Sequence, residues 1–254
     1  MNTTGNIPNR PLKMPPPYWR SSGAIFQVIE AIKDLILYLE DLIVIHEKVN
    51  IELDDFYVRN PEEDDIEEEF GEIASPLWEI EHKIKLKCEL AIFMISVHLE
   101  DRLNMHIVYN LDKDIGEVIE KLSPPEKLTL LASILTNKSV KGEKPFEAIR
   151  KLSSWRNAYA HGHCTDRITR TLRHNHLVKP ENYSSVPGEI ELIQSSIERY
   201  LLVSKYLQNI SINEYTSGSS SENFEIQELL NEVGKFKFDY SGNGDIYEIE
   251  NFDV

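Results

Sequence analysis

The chain has 254 residues, with 27 lysines and arginines against 43 aspartates and glutamates and a formal net charge of −16. That length suits one large domain, or one domain with appendages, around a sizeable core. Two cysteines, Cys88 and Cys164, exclude a disulfide framework. The longest nearly uncharged apolar run, Leu90 to Leu99, is far too short to span a bilayer, and the proline-rich start carries no signal-peptide core, so the chain reads as cytoplasmic.

Residues 1–20, with Pro8, Pro11 and Pro15 to Pro17, form an extended or disordered lead-in. Ser22 caps a helix expected to end near Lys48, with Ile25, Ile29, Ile32, Ile36, Leu39 and Ile43 at three- and four-residue spacing. A connection over 49–62 follows, and the acidic run Glu62 to Asp65 with Glu67 to Glu69 reads as a solvated loop and helix start. Pro76 then suits the first turn of a long helix reaching about Asn110. Its middle, Leu90 to Ile95, is apolar all round and belongs at the bundle centre. Beyond it His98, Glu100, Asp101 and Asn104 restore polarity.

A short helix over Asp114 to Leu122 precedes Ser123-Pro124-Pro125-Glu126, a capping-box signature opening a helix through about Leu135. Pro145 begins a helix to Ala160, and a basic loop runs from Gly162 to Pro187. A last bundle helix from about Glu189 to Asn209 carries Ile190, Ile193, Ile197, Tyr200 and Leu201. Ser217 to Ser221 is a linker that marks a domain edge. After it come a short helix, Phe224 to Val233, and two alternating runs, 235–240 and 245–250, around Ser-Gly-Asn-Gly, which read as a hairpin. A lone hairpin is marginal in water, so this tail packs on the bundle, pairs with a partner's sheet edge, or is disordered when alone. The expected organisation is a lead-in over 1–20, an all-α multi-helix bundle over 21–210, and an acidic linker and tail over 211–254 with a hairpin at 235–250.

The string Trp155-Arg156-Asn157-Ala158-Tyr159-Ala160-His161-Gly162 breaks the pattern of its helix. Phe146, Ile149, Leu152, Tyr159 and Ala160 form one apolar stripe at 3.6 residues per turn. Arg156 falls at its centre, seven residues after Ile149 and four after Leu152. A guanidinium keeps its charge, so burying it costs several kcal/mol unless it meets a carboxylate, a phosphate or a polar interface. Gly162 sits where a left-handed residue stops a helix, leaving His161 among the terminal carbonyls. Two readings stand side by side: Arg156 pairs with an internal carboxylate from the Glu100/Asp101 region while His161 offsets the helix dipole, or the two serve a phosphate.

These residues, Leu152-x-x-Trp155-Arg156-Asn157-x-x-Ala160-His161-Gly162, resemble the Arg-x4–6-His signature of the HEPN superfamily of all-helical RNA-processing domains, over about residues 76 to 210. Spacing alone is a weak mark, because Arg170 and His176 also satisfy it within a loop. The resemblance implies metal-independent endoribonuclease chemistry in a homodimer, by attack of a 2′-hydroxyl on the neighbouring phosphate. In that scheme Arg156 stabilises the developing charge, His161 acts as general base or acid, and Asn157 orients either one or the RNA. It also implies a toxin or antiphage-defence effector held in check by a nucleotidyltransferase-type antitoxin or other regulatory protein. One subgroup has a modifiable tyrosine two residues after the motif histidine, where this chain has His163. The alternative is a catalytically silent module of the same superfamily that binds RNA, nucleotide or a protein.

Charge is unevenly spread. Lys138 to Lys179 holds ten basic against three acidic residues, a net of +7, which leaves −23 for the rest. That island is the electrostatic footprint of a phosphate-binding surface, with Lys144, Arg150, Lys151, His163, Arg167, Arg170 and Arg173 as candidate RNA contacts. The other reading is a solvated face. His161-x-His163-Cys164 and His174-x-His176 match none of the common zinc spacings, so neither a metal nor another cofactor is expected. Glycine-rich phosphate loops, nucleophile elbows and HExxH pairs are absent from the sequence.

Overall fold

The structure, a computed structural model, describes residues 18–59, 67–119, 121–160, 185–212, 221–240 and 247–249. Its frame is set by α1, Tyr18–Arg59. Ile25, Val28, Ile32, Leu35, Leu39, Leu42, Val49 and Phe56 are all buried and continue a strict three-four alternation through half-buried His46 and Leu53. That seven-residue period is a coiled-coil seam. It explains two departures from expectation. Ile36 and Ile43 are only half buried, because a 3.5-residue period favours Leu35 and Leu42. The helix also continues well past Lys48, because Val49 and Phe56 extend the seam where a connection was expected.

The partner in that seam is α2, Glu67–Asn110. Antiparallel pairing is marked by Lys87 Nζ to Asp34 Oδ2 at 2.6 Å and Arg59 to Glu69 at 3.8 Å. Because α1 is long, α2 starts earlier than expected to cover it, and Pro76 lies inside the helix instead of in its first turn. Ala74 and Ile80 are buried on either side of it. The run from Leu90 is not enclosed on all sides: Ala91, Ile92, Ile95 and Leu99 face the core, whereas Leu90 is 40% exposed.

Three shorter helices follow: α3, Lys113–Ile119; α4, Pro124–Thr136; and α5, Lys144–Ala160. The capping box forms as read, with the Ser123 N–H donating to Glu126 at 3.0 Å. Asn137 adopts φ 57° to end α4, its N–H bonded to Ser133 O at 2.9 Å. The last bundle helix, α6, is Val186–Ile210, capped by Ser185, whose hydroxyl accepts from Gly188 N–H at 3.3 Å. It runs parallel to α2: the His98 and Tyr200 rings lie 5.6 Å apart, and at the far end the Ile212 N–H donates to Asn110 Oδ1 at 3.1 Å.

Past the linker, α7 (Ser221–Val233) returns along α6. Tyr200 Oη donates to Asn223 Oδ1 at 3.0 Å, and Asn223 Nδ2 donates to Ser204 Oγ at 2.9 Å. Ile226, Leu230 and Val233 are buried in the same cluster as the rest of the core, so the core crosses the linker that was read as a domain edge. The tail ends in an antiparallel pair, β1 (Phe238–Tyr240) and β2 (Tyr247–Ile249), in register Phe238 to Ile249 and Tyr240 to Tyr247. Phe236 and Phe238 pack against the bundle, so the described start of this segment lies on the core. The fold is therefore an all-α bundle with a small hairpin extension. Among the described residues no helix is long and apolar enough to cross a membrane.

Candidate functional site

Pro145 near its start and an apolar stripe in its middle define α5. Ala148, Ile149, Leu152 and Trp155 are buried, which centres the stripe on Leu152 and Trp155. Arg156 is thereby at the margin of the stripe and not in its middle, and Ala160 is exposed. Trp155 displaces both, because its indole offers the core far more apolar area. The Tyr159 side chain lies outside the description.

Arg156 turns toward α2 and α4. Its Nη1 donates to Glu100 Oε2. The other oxygen of that carboxylate, Oε1, accepts from Lys127 Nζ at 2.9 Å, and the same ammonium donates to Asn104 Oδ1 at 2.9 Å. Lys127 is 2% exposed, Arg156 20% and Glu100 27% at the side chain. Three helices thus meet at one carboxylate. Burial would raise the Glu100 carboxyl, but the hydrogen bonds from Lys127 and Arg156 outweigh it and hold the group below the usual carboxylate range. Two cations against one anion leave the cluster with an excess positive charge.

The remaining edge of the guanidinium points outward. Nε and Nη2 both donate to Asn157 Oδ1, at 3.3 and 3.1 Å, and Asn157 is exposed. Among the described residues a neutral amide oxygen is thus all that holds the edge that binds carboxylates and phosphates bidentately.

The other site residues read from the sequence distribute differently. Arg150 is exposed and ion-paired with Glu147 at 2.7 Å, on a different side of α5 from Arg156. Lys144 is exposed and Lys151 half buried, and neither joins the Glu100 cluster. His161, His163, Arg167, Arg170 and Arg173 lie outside the described residues, as do Cys164, His174 and His176. No metal-binding group of three or more His, Cys, Asp or Glu occurs among the described residues. An open cleft of about 440 Å³ between α4 and the start of α5, lined by Leu122, Pro125, Leu130, Lys141 and Phe146, does not include Arg156.

Lys127 is the member that sequence reading missed. The signal was there: Pro124, Leu128, Leu131 and Ala132 are buried with it at helical spacing, so a lysine interrupts the apolar stripe of α4 as Arg156 abuts that of α5. No family model matches the chain, and no curated protein or solved structure matches it.

Proposed function

We propose that this chain is a metal-independent endoribonuclease of the HEPN kind, acting in the cytoplasm as a toxin or antiphage effector. The observation that carries the reading is the outward Nε/Nη2 edge of Arg156, set at the end of α5 in a cluster with surplus positive charge. A phosphate that displaces Asn157 Oδ1 gains two parallel N–H donors while Glu100 keeps its grip on Nη1. The bond formed joins the 2′-oxygen to phosphorus, and the bond broken joins phosphorus to the 5′-oxygen. His161, five residues on, moves the proton from the attacking hydroxyl or to the leaving oxygen. Residues five apart diverge by about 140° on a helix, so two copies of α5 across a two-fold axis supply one composite cleft. Light scattering that finds a monomer at micromolar concentration with RNA present overturns that part of the reading.

Cleavage of labelled transfer and messenger RNA is the test. Wild type cuts with EDTA present, and Arg156→Ala and His161→Ala do not, with thermal midpoints retained. Cleavage by both variants at the wild-type rate ends the assignment; loss on chelation alone moves the chemistry to a metal.

One observation favours a second reading. Glu100 already pairs with Arg156 and ties α2, α4 and α5 together, which is what a catalytically silent module needs from the same residues. RNA binding without cleavage by wild type selects it.

A further inference from the structure

The seven-residue seam of α1 fixes which of its residues face directly away from α2, and that outward position is ordinarily polar. Here it holds Leu37, Val44, Ile51 and Val58, at unbroken seven-residue spacing and 56%, 67%, 58% and 81% exposed. Single exposed aliphatics are ordinary; four in one column, opposite the core, are a second apolar stripe. On the flanks, three or four residues from each, stand Glu40, Asp41, Glu47, Asp54 and Asp55, all exposed, with Lys33 and Lys48. Both lysines are already engaged, Lys33 with Glu225 at 3.1 Å and Lys48 with Glu52 at 3.6 Å. None of the five carboxylates makes an ion pair with a described residue.

We propose that this face of α1 docks a helix of another protein, one whose apolar stripe is bordered by lysines and arginines. The column spans three heptads, about 32 Å at 1.5 Å per residue, which is the contact length of a short two-helix coiled coil. Charge selects the occupant. A second copy of α1 would set the acidic flanks against themselves, since the helix carries eight acidic and four basic residues, and like charges across an interface are penalised. A basic border instead meets carboxylates that no described residue pairs with and leaves the apolar column dry. The surface uses none of Glu100, Lys127 or Arg156, so it stands whether or not the chain cuts RNA.

The test uses the full chain and two fluorescent helical peptides of about three heptads, with leucine at the seam positions and either lysine or glutamate at all bordering positions. The lysine peptide binds, its affinity falls with added salt, and the glutamate twin binds at least about tenfold more weakly. The double variant Val44→Ser/Ile51→Ser, changed at exposed positions and keeping its thermal midpoint, loses about tenfold in affinity for the lysine peptide. Phe224→Ser, which removes an exposed aromatic of α7, leaves that affinity unchanged. Equal binding of the lysine peptide to wild type and double variant means that only net negative charge is read, and overturns the proposal. So does absence of binding, or a wild-type dimer in sedimentation that the double variant dissolves, which would give the face to a second copy.

Discussion

Lys127 and Arg156 reach the two oxygens of one carboxylate from two different helices. Lys127 Nζ lies 2.9 Å from Glu100 Oε1, and Arg156 Nη1 holds Oε2. The two cations are not equivalent, since Lys127 is 2% exposed and Arg156 20%. Removing the shared anion strands the buried ammonium, and breaking a buried pair in this way costs about 3–5 kcal/mol. Glu100→Gln is therefore expected to destabilise far more than Arg156→Ala, which leaves Lys127 paired and costs up to about 1 kcal/mol. Lys127→Met, similar in volume and apolar, is expected to be tolerated because Glu100 keeps Arg156. Urea unfolding of the three variants checks the order; equal losses for Glu100→Gln and Arg156→Ala show that the network does not hold the helices.

The same cluster shows what was legible beforehand. Arg156 stood out because a fixed charge interrupted an apolar period, and its partner was confined to the short stretch of α2 where polarity returns after the apolar run. Choosing Glu100 over Asp101 needed the rotation of α2 about its axis, which a 3.5-residue seam sets and a 3.6-residue projection misplaces. Helix identities followed from caps and periodicity: Ser123 with Glu126, Pro145, and the Ile190 to Leu201 stripe all mark real elements. The end of α1 and the start of α2 were misjudged for a tertiary reason, because each continues as far as the other offers apolar surface to cover, whereas α2 stops at Asn110 as read.

The C-terminal segment is expected to be structural. Ile226, Leu230 and Val233 are buried against α1 and α6, and Asn223 satisfies both Tyr200 and Ser204. A chain ended after residue 212 exposes the faces that α7 covers, and each buried aliphatic lost removes roughly 2–5 kcal/mol by analogy with truncation to alanine. The truncated chain should melt well below the full chain, or not fold cooperatively. An unchanged midpoint would make 221–240 an appendage. Tyr200→Phe isolates the polar part, with an expected cost of about 1–3 kcal/mol for leaving Asn223 Oδ1 without its donor.

RNA affinity, on the proposed reading, resides in the basic segment 138–179. Each phosphate neutralised releases counterions, so replacing Arg167, Arg170 and Arg173 together should lower both affinity and the slope of log affinity against log salt, by up to about 0.7 per contact on single strands. Arg150, engaged by Glu147, should contribute less than any of the three. A slope unchanged in the triple variant assigns the segment to ordinary solvated surface.

Two buried groups give stability opposing dependences on pH. His106 is fully buried, with neither ring nitrogen hydrogen-bonded, and burial together with the nearby Arg102 charge pushes it down to about 3 from 6.5. Between those values the unfolded chain binds a proton that the folded chain refuses. Its contribution is present above pH 6.5 and lost as pH falls toward 3, by up to about 1.4 kcal/mol per pH unit. Glu189, at the start of α6, is pushed up to about 7 from 4.5 by burial, with Lys85 opposing and Glu89 reinforcing. Here the folded chain keeps a proton that the unfolded chain releases, so the contribution is present below pH 4.5 and lost as pH rises toward 7. The two slopes cancel between 4.5 and 6.5, and in the acid limb below 4.5 His106 is joined by Glu100 and Glu126, both held below the usual carboxylate range. His106→Leu should flatten that limb while leaving the neutral value equal or higher, because two unsatisfied nitrogens go with it. Glu189→Gln should gain on wild type steadily from pH 4.5 to 7. Denaturation midpoints from pH 3 to 8 decide both, and a pH-independent difference between wild type and Glu189→Gln would show that the carboxyl ionises normally.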